Sequence, residues 1–373
     1  MASPVTRKRP VKYLLLVLLG LALGLLVAEV VLRVFGYPRF YKAHSSPPQF
    51  TFLPLDSTNF VCLNTPSTQI RFVYDGNPRG YFGTGSQVDH TVNSAGFRGP
   101  EFTLTKPAHV LRIACLGDSI TFGEGVRDDD TYSERLATRL GRALSARDAI
   151  CESCNFGVGG YNTGQELLVL RNYALLTNPD IVVVGYNLND AEPLLFQISR
   201  LSGQPVRRSR EHDIPEGLDD PLPPRTILFR SRIVQLLWQR RNAGARTAQT
   251  VRYYQDLYAA GSQGWQDSRQ ALRDIIATCE ARKIPCIVVV FPVLYQLDDS
   301  YPFLPIHAMI QQEVASANGI CIDLFPLLKG RDAAKLWVHP TDPHPNEIVH
   351  AVVAEAIAAR IAETGRFQGF PGK

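Results

Sequence analysis

The 373-residue sequence predicts an α/β protein: a three-layer α/β/α sandwich on a parallel sheet, preceded by one N-terminal transmembrane helix. Three observations carry this expectation. A basic start runs into a long uncharged apolar stretch. From residue 111 onward, short strand-like runs alternate with segments of helical length and helical capping. The run Asp180–Tyr186 is apolar throughout its centre, as a strand covered by helices on both faces must be. Such alternation implies parallel pairing and right-handed crossovers.

The N-terminal element comes first. Arg7, Lys8, Arg9 and Lys12 precede an uncharged run from Tyr13 to Ala28; Glu29 interrupts, and the apolar pattern continues to Phe35. At about 1.5 Å per residue, 13–35 spans roughly 34 Å, enough to cross a bilayer core. Glu29 and Arg33 stand four apart on one helical face, acid first, which is the favourable order. The basic cluster is expected to keep residues 1–12 in the cytoplasm and to place everything after Gly36 outside, in the periplasm. A cleaved signal peptide begins the same way, but Leu26-Val27-Ala28 is a poor cleavage site, so an uncleaved anchor is expected.

Residues 36–106 are rich in Pro, Ser, Thr, Asn and Gly, with short aromatic stretches such as Phe72-Val73-Tyr74. They read as an irregular, partly β, membrane-proximal segment. A domain at 107–365 follows. Its strand candidates are Leu111–Leu116, Cys151–Phe156, Asp180–Tyr186, Ile284–Phe291 and Ile320–Ile322. Thr131 to Glu134 and Thr163 to Glu166 read as capping boxes opening two helices. Further helices are expected at Ser268–Lys283, Pro305–Asn318 and Pro345–Ala362. The rhythm breaks at about 191–264, which reads as an insertion packed over one end of the sheet.

Composition narrows the function. A formal charge of +4, part of it in the first dozen residues, makes no case for nucleic acid. The seven cysteines include a lone Cys151-x-x-Cys154 with no second pair, so neither a metal site nor a cofactor is expected.

In parallel α/β sheets, sites form beyond the carboxyl ends of the strands. Those ends carry Gly117-Asp118-Ser119, Gly157-Val158-Gly159-Gly160 and Asn187-Leu188-Asn189-Asp190; Asp342-Pro343-His344-Pro345-Asn346 lies before the last helix. Together they supply what acyl transfer requires: a hydroxyl nucleophile, donors for an oxyanion, and a base with an orienting carboxylate. Gly-Asp-Ser alone would read as a strand-to-helix turn, and it is not the G-x-S-x-G elbow, because Thr121 stands at the second glycine's place.

In combination these places resemble the conserved blocks of the SGNH (GDSL) hydrolases, in order. LGDSITFGEGV is similar to the first, NFGVGGYNT to the second, NLND to the third, and DPHPN to the block that holds the base. The stretch from Val92 to Glu101 and the anchor further resemble a bacterial, membrane-anchored branch of that family. The resemblance implies a flavodoxin-like sheet and a serine esterase with Ser119 as nucleophile, His344 as base and Asp342 as acid. It implies an oxyanion hole from the N–H groups of Ser119 and Gly160 and the Asn189 amide. Two departures stand out. Asn187 replaces the family's glycine, and the acid is two residues before the histidine rather than three, an arrangement expected to need a turn at Pro343.

Among the other histidines, His339 could in principle replace His344. His344 is favoured because Pro345 can occupy the first turn of the last helix. His350 lies off the apolar stripe of that helix and is expected on the surface, and His307 reads as a structural polar group. The expected substrate is an ester, on an acetylated envelope glycan or a lipid. The alternatives are O-acyl transfer onto envelope polysaccharide, or an inactive binding protein that keeps the fold.

Overall fold

A computed structural model describes residues 9–42, 44–45, 50–54, 60–145, 148–192, 196–198, 205–207, 224 and 226–363. Arg7 and Lys8 and most of the Pro-rich stretch before 224 lie outside the described residues. The chain divides into two compact units, residues 1–42 with 219–249, and 43–218 with 250–373.

The first unit is built on the helix Arg9–Val34. Val11–Val34 has a mean hydropathy of 2.8, and none of its most apolar stretch is buried by protein, so it is a candidate membrane span. The Glu29–Arg33 pair forms, with Arg33 Nε 2.8 Å from Oε1. Glu29 does more than pair. Its carboxylate accepts the N–H groups of Arg232 (3.0 Å) and Ile233 (3.2 Å) and the Ser231 hydroxyl (2.9 Å), capping the helix Arg232–Leu257. A carboxylate at a helix N-terminus satisfies otherwise orphaned donors and meets the positive end of the dipole. Residues 219–249 of the expected insertion thus group with the N-terminal helix.

The second unit carries a five-stranded parallel sheet: β1 (Val110–Gly117), β2 (Ile150–Asn155), β3 (Ile181–Tyr186), β4 (Cys286–Val290) and β5 (Ile320–Asp323). Their order is β5-β4-β3-β1-β2, the flavodoxin-like arrangement. Every residue of β1, β3 and β4 is buried, which is why these runs do not alternate in the sequence. Helix Tyr132–Leu144 packs with the last helix, Glu347–Glu363; helix Thr163–Asn172 packs with Gln263–Glu280, which meets Leu304–Ser316. The strand order reverses between β1 and β3, and a site forms in the crevice at such a reversal.

Local differences from the sequence reading have physical causes. Thr131 caps its helix, its hydroxyl accepting from Glu134 N (3.3 Å). At the second expected box the cap is Asn162, whose Oδ1 accepts from Gln165 N (3.1 Å), and Thr163 is freed to bond Ser268 (2.8 Å). Pro345 ends a short strand, Asp342–Pro345, instead of starting the last helix; the buried Asn346 caps that helix through Ile348 N (3.0 Å). His350 is buried, not exposed, and its Nδ1 accepts the Tyr132 N–H (3.0 Å), tying the two packed helices together. Part of the segment 36–106, expected to be irregular and membrane-proximal, is integral to this unit. Strands Gln69–Val73 and Gln87–Thr91 form a hairpin whose inner face, with Tyr74, Phe82, Phe122, Val126 and Val338, makes a second apolar core.

Candidate active site

Ser119 begins a four-residue helix, Ser119–Phe122, entered from β1 through Gly117 and Asp118. The turn is tight enough to require glycine on both sides of it. A Cβ at Gly117 would lie 2.0 Å from Thr121 Oγ1, and one at Gly157 would lie 2.3 Å from Phe122 N. Thr121, which stands where an elbow glycine would, is held by Leu116 O (3.2 Å) and the Tyr132 hydroxyl (2.9 Å). As the first helical residue, Ser119 has an N–H without an intrahelical acceptor.

Asp118 is fully buried and caps this helix, Oδ1 accepting from Ile120 N at 2.8 Å. Its Oδ2 accepts from Asn189 Nδ2 (3.0 Å) and Asn187 Nδ2 (3.4 Å). A carboxylate accepts only, so this contact turns the Asn189 amide with its NH2 toward the serine turn and leaves one N–H of the amide for a ligand. Asn187 also caps the short turn Leu188–Ala191 through Leu188 N (2.8 Å), with φ −111° and ψ 159°. That backbone is ordinary for any residue, so the absence of the family's glycine costs no strain, and the Asn187 side chain adds a second link to Asp118.

His344 meets Ser119, with Nε2 2.9 Å from Oγ. Its Nδ1 is 2.6 Å from Asp342 Oδ1, and its backbone N–H donates to the same oxygen at 3.1 Å. No turn at Pro343 is needed: Asp342 and His344 share the strand Asp342–Pro345, and residues two apart on a strand face the same side. This strand pairs antiparallel with Trp337–His339. The other oxygen of Asp342 accepts from the Tyr74 hydroxyl at 2.8 Å, and His44 Nδ1 lies 3.9 Å from it. Asp342 is fully buried. Burial alone would raise its pKa, but the His344 charge and hydrogen bond, with His44 and Tyr74, hold it well below the carboxylate range. For His344, burial pulls the pKa down, yet Asp342 and Glu124 outweigh it and lift it to about 10.

Gly160 lies in the left-handed region, φ +79°, on the turn after β2. Val158 N donates to Gly117 O (3.2 Å), binding that turn to the serine turn; no hydrogen bond among the described residues takes the Gly160 N–H. His339 is buried 2.8 Å from Thr341 Oγ1 and is not the serine's partner. His307 is buried between Asp323 (2.9 Å) and Tyr301 (3.2 Å), a structural polar group as expected. Among the described residues no cluster of three or more His, Cys, Asp or Glu could hold a metal ion.

Three residues at the site were not singled out from the sequence. Asp118 stands inside the Gly-Asp-Ser run, whose fit to a cap position was a usable signal. Tyr74 lies 268 residues from its partner Asp342, and nothing local marks it. Glu124 follows the serine by five residues, and its Oε2 lies 3.6 Å from His344 Nε2.

A family model described as GDSL-like lipase/acylhydrolase matches residues 115–352. No curated protein matches the chain. Among solved structures, a two-domain esterase (CEX) active on acetylated mannans, co-crystallised with mannopentaose, is similar at 16% identity and TM-score 0.41. The match covers 68% of this chain and 49% of that one, so this chain spans about half its length. The lipase/acylhydrolase from Enterococcus faecalis is 16% identical, with TM-score 0.38 and coverage of 70% and 98%. An acetyl xylan esterase, AlAXEase, is 14% identical, with TM-score 0.40 and coverage of 67% and 99%. The family match takes in more than half of the chain, with all three strand-end motifs and the Asp342–Asn346 motif before the last helix, and the chain therefore belongs to the GDSL-like lipase/acylhydrolase family, hydrolases acting on ester bonds.

Proposed function

We propose that the chain is a membrane-anchored serine esterase in which Ser119, His344 and Asp342 act as nucleophile, base and acid. The observation that carries this reading is the hydrogen-bonded line from Ser119 Oγ through His344 to Asp342, at 2.9 and 2.6 Å. With the imidazole neutral, the serine hydroxyl donates to Nε2 while Nδ1–H donates to Asp342, which fixes the tautomer. Ser119 attacks the ester carbonyl as His344 takes its proton. The tetrahedral oxyanion is held by the N–H groups of Ser119 and Gly160 and by the free N–H of Asn189. The imidazolium then protonates the leaving alcohol, and water, activated by the same base, releases the acid.

The N-terminal helix supports anchoring by its length and hydropathy, with the basic residues before it on the cytoplasmic side and the catalytic unit outside. The substrate class in this reading is an O-acetylated envelope glycan or an ester-bearing lipid. A fluorophosphonate probe tests the site directly. Wild-type protein is expected to label, and Ser119→Ala to lose both labelling and turnover of short aryl esters. Wild-type protein that neither labels nor turns over esters would identify a binding protein instead, and turnover surviving in Ser119→Ala would remove Ser119 from the mechanism.

A further inference from the structure

Glu124 is a carboxylate beside the reacting pair that the relay leaves unused. It sits in Gly123-Glu124-Gly125, directly after the serine helix, and the backbone there is held from several sides. Gly123 N and Glu124 N donate to Ser119 O at 2.8 and 3.1 Å. Gly125 N donates to His90 Nε2 at 3.0 Å. The buried Arg98 guanidinium binds the carbonyls of Phe122 (2.7 Å), Gly123 and Val126. Few directions are therefore open to the Glu124 side chain.

The Glu124 side chain points into the site. Oε2 lies 3.6 Å from His344 Nε2, and Oε1 packs so closely on Gly159 that a Cβ there would lie 2.7 Å from it. The carboxylate thus stands between the base and the turn that carries Gly160. No protein donor hydrogen-bonds it among the described residues, and its side chain is only 21% exposed.

We propose that Glu124 is a positioning residue for the base, a second counter-ion that competes with Ser119 for the Nε2 edge of His344 and makes nucleophile activation depend on pH. The proposal rests on His344 being the base. The groups facing the imidazole come from four places in the chain. Asp342 lies on its own strand, with Tyr74 and His44 behind it. Asp118 and Ser119 come from the β1 turn, and Glu124 from the loop after it. The balance on the imidazole is negative, and the charges of Asp342, Glu124 and Asp118 all favour its protonated form. An imidazolium directs its Nε2–H toward Ser119 and Glu124 and has no lone pair for the serine proton. Once that proton is lost, Nε2 accepts from Ser119 and the nucleophile is armed. After attack the imidazolium is restored, and Glu124 stabilises it while the proton passes to the leaving alkoxide.

The test is the pH dependence of kcat/KM for a neutral aryl ester, using the full chain in detergent with Glu124→Gln, Glu124→Asp and wild type. The acid limb of Glu124→Gln is expected to move to lower pH by about one unit or more, the size of shift an opposite charge at this distance produces. Glu124→Asp keeps the charge and is expected to fall between the two. Fluorophosphonate labelling at alkaline pH shows that each variant retains its site, and if Glu124→Gln lost the fold, the displaced limb of Glu124→Asp would carry the comparison. A Glu124→Gln limb that coincides with wild type, or moves to higher pH, overturns the proposal. Turnover surviving in His344→Gln would instead overturn the reading of the base itself, and turnover surviving in Ser119→Ala that of the nucleophile.

Discussion

Asp342 Oδ1 receives two hydrogen bonds from one residue, the backbone N–H of His344 at 3.1 Å and its Nδ1 at 2.6 Å. An extended strand makes this possible, because residues two apart share a face. Asp342→Asn would preserve the shape and lose the charge, leaving the imidazole free to take the wrong tautomer. The expected result is a fall in kcat of about 10⁴, as for a triad whose acid is neutralised. Turnover within tenfold of wild type would show that Asp342 is not the acid.

Asn189 is aimed by Asp118, through the 3.0 Å bond from its Nδ2. Removing one preorganised oxyanion donor costs about 10²–10³ in kcat. Asn189→Ala should show that loss with little change in KM and an unchanged circular dichroism spectrum. Wild-type turnover would take Asn189 out of the mechanism.

The raised pKa of His344 sets a pH signature. The proposed base works only when neutral, so kcat/KM should climb on a limb whose midpoint lies above the ordinary histidine value of about 6.5. The same shift is a stability statement. A folded pKa above the unfolded one gives stabilisation that is full below about 6.5 and is lost as pH rises through about 10. Urea midpoints of wild type should therefore fall over that window more than those of His344→Gln. A limb at or below pH 6.5 would contradict the geometry.

Glu166 and Asp190 are both 1% exposed, and among the described residues neither oxygen of Glu166 has a hydrogen-bond partner. Burial, then the charge of Asp118, pushes the Glu166 pKa well above the carboxylate range. The folded chain thus keeps a proton that the unfolded chain gives up above about pH 4.3, so this group lowers stability as pH rises. Glu166→Gln should leave Tm nearly unchanged at pH 4 and raise it at pH 8. Equal or lower Tm at pH 8 would mean that the carboxylate has a partner in solution.

Local order was legible in the sequence because it rests on local rules. The five strands lie within a few residues of their expected places; β1, β3 and β4 are buried throughout and read as near-continuous apolar runs, and the edge strands β2 and β5 were marked by the alternation with helices. Ser119, Asn189 and His344 were readable from their positions after strands or before the last helix. The misplacements were also local. Thr163 looks as good a cap as Asn162, and Pro345 fits a first helical turn as readily as a strand end. The difference lay in which partner the fold offered: Ser268 for Thr163, and the strand Trp337–His339 for the residues before Asn346.

By itself the sequence determined the α/β class and the membrane-length apolar helix, which follow from periodicity and residue type; the roles expected of Ser119, Asn189 and His344 came from the resemblance of their motifs to the SGNH hydrolases. Tertiary structure decided how those residues are supported. Tyr74 reaches Asp342 only because the hairpin of Gln69–Val73 and Gln87–Thr91 shares an apolar core with Val338, on the strand paired with Asp342–Pro345. His350, polar and off the apolar stripe, is buried because Tyr132 N supplies its bond. Glu124 faces His344 because Arg98 and His90 hold the intervening loop. Each is a polar contact between distant segments, with no period along the chain, and becomes visible only when packing brings donor and acceptor within hydrogen-bonding reach.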